Sequence, residues 1–263
     1  MIILAALDGS VAARPVLGVA SRVAALLGAG VEAVHVGAGN GGEVAAAIAD
    51  EAHVPFHARE GDIVAELGSA ARERDAMALV IGARDTSSAP APAGHVALNL
   101  VQSFEGTIVV VPPDATDRPL RRVLVAVEGD GESAGLRRLF DHLGDRPLPE
   151  VIALHVIAPA DVPPYADSPI HESNAFEREF RIRVARGLLV DASHVRFEIR
   201  VGDAAEALRD ATRDLDVDLV VLAWHRDLSG GHGRLVREML EHGSIPVALF
   251  ALDDRERAAV LAD

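Results

Sequence analysis

The 263-residue chain has no cysteine and no lysine, and aromatic residues make up only 3% of it. Without cysteine there can be no disulfide framework, no thiolate nucleophile and no cysteine-ligated zinc, and a reducing compartment fits. Positive charge rests on arginine alone. Forty acidic residues face 25 basic ones, for a net charge of −15. A nucleic-acid backbone needs a basic footprint, which argues against DNA or RNA as partners. A single nucleotide is not, because a glycine loop and a helix N-terminus can hold phosphate through backbone N–H groups. No apolar run reaches about 18 residues, so no membrane span is expected. The N-terminus enters a strand pattern directly, without the basic and apolar regions of a secretory signal. These features read as a cytoplasmic chain.

What the chain does have is aliphatic residues. Hydrophobic residues total 49%, so the core must be built of Ala, Val, Leu and Ile. That suits strands of a parallel sheet buried on both faces. The chain also repeats itself. "ILAALDG" (Ile3–Gly9) aligns with "VLVAVEG" (Val123–Gly129) at an offset of 120, and so does "VEAVHV" (Val31–Val36) with "VIALHV" (Val151–Val156). The offset becomes 141 for Arg59–Arg84 against Arg200–His225, and 139 for Gly106–Asp114 against Ile245–Asp253. The second copy thus carries an insert between its His155-Val156 and its Gly202-Asp203. We place it in Ala158–Phe180, where Pro159, Pro163, Pro164 and Pro169 predict an irregular loop running into a helix near Ser173. It could serve as a lid on the second copy, through Asp161–Ser168.

Each copy reads as alternating strands and helices, the signature of a parallel, helix-covered sheet with right-handed crossovers. Ile63, Leu67, Ala70 and Ala71 have helical spacing. Ser10 and Ser133 stand where an N-cap would serve the first helix of each copy, and Pro15 fits that helix's first turn. "PPDATDRP" (Pro112–Pro119) cannot continue a strand and reads as the connection.

With these blocks in this order twice over, the chain resembles the universal stress protein family in tandem form. The residues that carry the resemblance are "ILAALDGS", "AVHV", "GDIVAELGSAARERDAMALVIGAR" and "GHVALNLVQSFEGTIVVVP", then "VLVAVEG", "ALHV", "GDAAEALRDATRDLDVDLVVLA" and "GRLVREMLEHGSIPVALF". The resemblance implies an α/β fold of two flavodoxin-like (Rossmann-like) domains, residues 1–114 and 120–254, joined by 115–119. Each would be a five-stranded parallel sheet with helices on both faces. It also implies a pseudo-dimer in which Thr107–Val111 runs antiparallel to Pro246–Phe250, because an apolar edge strand must be paired. Pro246, which lacks an N–H, would start that ladder. The expected state is this intramolecular pseudo-dimer, as a monomer or a further homodimer. The expected role is regulatory and non-catalytic, exerted on a protein partner whose identity is unknown.

Members of the family that bind ATP have an acid ending strand 1, a hydrophobic residue after strand 2, and G-x-x-G, nine residues, G-[ST] leading into the last helix. In the first copy Asp8, Val36, Gly82 and Gly94 match. Asp85 replaces the second glycine, where a carboxylate would repel phosphate by about 1 kcal/mol at ~4 Å even in water. His95 replaces the hydroxyl residue. This site is the candidate for ATP or another adenine nucleotide. In the second copy Glu128, Val156, Ala223, Trp224, His225, Arg226, Gly233 and Arg234 take the corresponding places. Trp224 would crowd the loop, and no cofactor is expected there. Gly230-x-x-Gly233 followed by Gly243-Ser244 also fits the pattern, but "IPVALF" follows Ser244 at once. Those residues would therefore close the last helix, Leu235–His242, instead of opening it.

Other residues admit two readings. Asp8 and Glu128 either touch a ribose or bond the backbone of their own turns. His35 and His155 are either ligand contacts or packed core residues. His225, His232 and His242 lack metal-ligand spacing, so no metal site is expected. Asp8, Ser10 and His35 lack a nucleophile elbow, which leaves a small hydrolase as a remote alternative. Phe176–Leu189 reads as an amphipathic helix with a solvated face.

Overall fold

The computed structural model describes residues 1–10, 13–83, 94–127, 149–158, 195–224, 226 and 231–251. Glu128, Ser133, Asp85, His225, the segment Asp161–Ser168 and the helix expected at Phe176–Leu189 lie outside them. The first copy alternates strictly: β1 (Ile2–Ala6), α1 (Ala13–Leu27), β2 (Gly30–Val36), α2 (Gly41–Glu51), β3 (Phe56–Arg59), α3 (Ile63–Glu73), β4 (Ala76–Gly82), α4 (His95–Ser103) and β5 (Thr107–Val111). The second copy supplies β6 (Arg122–Ala126), β7 (Glu150–Ile157), β8 (Val195–Val201), α5 (Ala204–Asp214), β9 (Leu219–Trp224), α6 (Gly231–His242) and β10 (Val247–Ala251).

Two compact units form. The first contains Met1–Leu120 with Arg226–Ala251; the second contains Arg121–His225 with the chain end. The last helix and strand of the second copy therefore pack with the first copy. Within the first unit the strand order is β3-β2-β1-β4-β5-β10. The first five strands are parallel. β10 adds to β5 antiparallel, with Val247 opposite Val110, Ala248 opposite Val109, Leu249 opposite Ile108 and Phe250 opposite Thr107. Pro246 falls one residue before this ladder, so its missing N–H costs no bond. The second unit orders its strands β9-β6-β7-β8, all parallel.

The aliphatic runs go where composition sends them. Ile3, Leu4 and Ala5 of the central β1 are fully buried, as are Val123 and Leu124 of β6. α1 covers its sheet with Val16, Val19, Ala20, Val23 and Ala24, one stripe at helical spacing. α3 buries Leu67, Ala70 and Ala71, but Ile63, expected in the same stripe, is 41% exposed. It is the first residue of its helix, one turn before Leu67, where burial begins.

Local chemistry repeats at the offset read from the sequence. Gly61 and Gly202 both have positive φ, +133° and +148°, and Asp75 and Asp216 both sit at +49°. Asp62 accepts the Ala65 N–H at 2.9 Å to cap α3. Its counterpart Asp203 accepts from Ala205 and Glu206 to cap α5. The connection between copies is held down at both ends. Arg22 of α1 pairs with Asp117 and donates to the Thr116 carbonyl at 3.2 Å. The buried Asp218 carboxylate accepts the N–H groups of Arg121 and Arg122.

The edge strand β3 is only four residues long, and charge guards it. Arg59 pairs with Glu66 and Glu73. Its hydrogen bond holds the Glu73 carboxyl below the usual carboxylate range. Because the folded-state value is lowered, this anchoring is present at neutral pH and fades as the pH falls through it.

The caps give a direct test. Asp62→Ala and Asp203→Ala should each lower unfolding free energy by about 1 kcal/mol, read by chemical denaturation. Asp203→Ser should keep most of the loss from appearing, because its hydroxyl can still accept.

Candidate functional site

In the first unit the chain runs from β1 outward through β2 to β3, then returns to the other side of β1 for β4 and β5. The strand order reverses between β1 and β4. Ligands of open α/β sheets bind in the crevice at the carboxyl ends of the strands at such a point. Asp8 follows β1 there. Gly82 ends β4, and Gly94 lies beside it, because the Gly94 N–H donates to the Ala83 carbonyl at 2.9 Å. α4 therefore starts at the crevice. Gly94 is its N-cap and provides no side-chain cap, and the exposed His95 is its first residue. The positive end of α4 and its unused first-turn N–H groups are the part of this site suited to an anion. The structure thus brings Asp8, Gly82, Gly94 and His95 to one mouth.

Asp8 is exposed, but one of its oxygens is already used. Oδ1 accepts from the Ser10 N–H at 2.9 Å and the Ser10 hydroxyl at 2.8 Å, an Asx-type turn. The Ser10 carbonyl in turn accepts the Ala13 N–H that begins α1. Ser10 therefore serves the turn through its partnership with Asp8. His35 is 6% exposed, and its Nδ1 donates to the Leu7 carbonyl at 2.7 Å. No relay joins Asp8, Ser10 and His35, since Ser10 gives its proton to Asp8 and His35 gives its own to the backbone. Val36, at the end of β2, is buried.

The β1–α1 turn and the start of α2 meet at two glycines. A Cβ placed on Gly9, whose φ is +79°, would lie 2.4 Å from the Gly41 carbonyl oxygen. This contact went unread in the sequence, where its only signal was glycine on both sides. His35 packs beneath the same loop, with its Cε1 3.2 Å from where a Gly41 Cβ would be.

The second copy repeats part of this. His155 Nδ1 donates to the Val127 carbonyl at 3.1 Å, and Val156 is half-buried at the same strand position. Trp224 does not stand in the loop. It is the last residue of β9 and is 2% exposed, a core side chain. Gly233 and Arg234 lie within the first turns of α6, which begins at Gly231 and not at Leu235. Gly243 and Ser244 follow α6 and precede β10, so the pattern they complete is out of place, as expected. Arg226 has φ +61°, a left-handed conformation that glycine adopts most easily. Its guanidinium donates to Glu105 at 3.3 Å, both residues lying in the first unit. The pair is 121 positions apart in sequence, and no local pattern could have shown it.

The profile of the universal stress protein family matches residues 119–250, half of the chain. The chain belongs to the universal stress protein family. Its fold has full-length counterparts among solved structures. A universal stress protein from Archaeoglobus fulgidus is similar at TM-score 0.63 and 15% identity, with 97% of each chain covered. A functionally unknown protein from Pseudomonas aeruginosa is similar at TM-score 0.66 and 14% identity, covering 100% of this chain and 97% of that one. At these identities the likeness concerns the fold. No curated protein sequence matches. Among the described residues no group of three or more His, Asp or Glu could hold a metal ion, and no helix is long and apolar enough to cross a membrane.

The glycine contact predicts an asymmetry. Gly9→Ala should lower stability by about 1–3 kcal/mol, through positive φ and collision with the α2 backbone. Gly30→Ala, where an added Cβ meets nothing within 4 Å, should leave the denaturation midpoint almost unchanged.

Proposed function

We propose that this universal stress protein is a non-catalytic regulator of stress responses that works mainly through contacts with a protein partner, its nucleotide sites having degenerated. The observation that carries this reading is Arg226. It occupies the place of the family motif's second glycine and keeps a glycine-like backbone, φ +61°. Its side chain, however, is paired with Glu105 at 3.3 Å, so its charge is engaged within the protein. With Ala223 and Arg226 at the places of the motif's two glycines, the second copy has neither glycine at its loop entrance. In the first copy the sequence sets Asp85 where the family has glycine, and a carboxylate there opposes phosphate.

A second reading has its own support. The mouth formed by Asp8, Gly82, Gly94 and His95 has an uncapped helix N-terminus at the switch point, and an adenine nucleotide could be sensed there. The two readings separate in one experiment. Purified protein is heat-denatured and the supernatant assayed for adenine nucleotide, then ATP is added to fresh protein and the melting transition followed. A ligand at 100 times its dissociation constant stabilises by about 2.7 kcal/mol. The regulatory reading expects no released nucleotide and no shift. Stoichiometric nucleotide, lost in Asp8→Ala, would establish the sensor instead.

A further inference from the structure

The loop between β2 and α2 reads Gly37-Ala38-Gly39-Asn40-Gly41-Gly42. Asn40 is one of three asparagines in the chain and the one followed by glycine. It is exposed and forms the N-cap of α2, yet its side-chain amide makes no capping hydrogen bond. The Gly41 N–H is a first-turn donor with no place in the intrahelical ladder. An unrestrained side-chain amide therefore adjoins an unengaged backbone nitrogen on a residue with no Cβ to screen it. Beneath them lies His35. Its Nδ1 is committed to the Leu7 carbonyl as a donor, so in the neutral ring Nε2 carries a lone pair. That Nε2 lies 3.2 Å from where a Gly37 Cβ would be and 3.4 Å from where a Gly41 Cβ would be, with the buried ring against the first residues of α2.

We propose that Asn40–Gly41 is a site of self-modification, with His35 as the base that promotes it. The Gly41 nitrogen attacks Asn40 Cγ while Nε2 of His35 takes the proton from that nitrogen. The new C–N bond closes a five-membered succinimide, and the side-chain nitrogen leaves as ammonia, carrying away the proton. Water then adds to one ring carbonyl. Breaking the Cγ–N bond leaves aspartate at position 40; breaking the other C–N bond leaves isoaspartate, with the main chain routed through the side chain. No oxidant or cofactor enters.

Attack requires Asn40 to leave its helical ψ of −12°. Four glycines in this six-residue loop lower the cost of that rotation. Either product changes the first copy's mouth. Aspartate is a preferred N-cap and its charge suits the positive end of α2. Isoaspartate lengthens the backbone where Gly41 packs against Gly9, beside the turn that holds Asp8.

The test is peptide mass analysis of the intact folded chain during incubation in buffer at physiological temperature. Trypsin releases Val23–Arg59, in which Asn40 is the sole side-chain amide. A one-dalton gain should accumulate there, placed at position 40 by fragmentation, and should be absent in Asn40→Ala. His35→Asn keeps a nitrogen to donate to Leu7 but lacks the second ring nitrogen; conversion at position 40, separated by fragmentation from the amide introduced at position 35, should be several-fold slower. The unfolded chain in denaturant should also convert more slowly than the native one. An unchanged wild-type peptide mass, or gain confined to Asn99 or Asn174, would overturn the site. Conversion of His35→Asn at the wild-type rate would overturn the role of His35.

Discussion

An apolar strand edge cannot be left open in water. β5 is Thr-Ile-Val-Val-Val, with Ile108 to Val111 all at or below 2% exposure. Its inner side pairs with β4. Its outer side offers a row of N–H and C=O groups flanked by buried valines, and such an edge must be covered or it will pair with another molecule. β10 covers it from within the same chain. The antiparallel ladder satisfies the backbone of both strands and puts Val247, Ala248 and Leu249 among the buried residues. Burying each valine or leucine side chain contributes about 1.5–3 kcal/mol, so this seam adds substantially to the attachment of β10. The division of the chain follows from it. The fifth strand of the second copy, and the helix before it, belong to the first compact unit because their partner strand is there.

That arrangement bears on function through Arg226. It opens the segment that the second copy contributes to the first unit, and it reaches Glu105, two residues before β5 begins. A residue aligned with the family's loop motif thus pairs with a residue just before β5. The first copy keeps more of a mouth. Its acid is only half engaged, its α4 N-terminus is uncapped, and its loops approach each other through glycines.

The strands were legible in the sequence because aliphatic runs buried on both faces leave a plain pattern, and the repeat fixed their order twice. The β5–β10 pairing followed from the family resemblance together with the need to cover "TIVVV", and the position of Pro246 agreed with it. The rejected motif at Gly243-Ser244 was legible because a strand follows it too closely. Helix starts were less so. Gly231 and Gly233 argue against helix by propensity, and burial of Leu235, Val236, Met239 and Leu240 overrode them. Ile63 had the right spacing, but periodicity does not say where a helix leaves its sheet. Trp224 looked like a loop residue because family glycines occupy that region, whereas its side chain had space in the core. Contacts between distant positions, Arg226 with Glu105 and Gly9 with Gly41, depend on how loops meet and leave no local signature.

The β5–β10 ladder is the claim on which this account rests most, and the absence of cysteine makes it directly accessible. In an antiparallel ladder, facing pairs alternate, and the non-hydrogen-bonded kind has Cα atoms about 4.5 Å apart, within the range a disulfide spans. Of the neighbouring pairs Val109 with Ala248 and Ile108 with Leu249, one must be of that kind. Cysteines placed at each pair in turn, in two double variants, should give an intramolecular disulfide in at least one of them under mild oxidation, read as a mass loss of two hydrogens and faster migration on a non-reducing gel. Failure of both pairs to close, or closure only between molecules, would contradict the account.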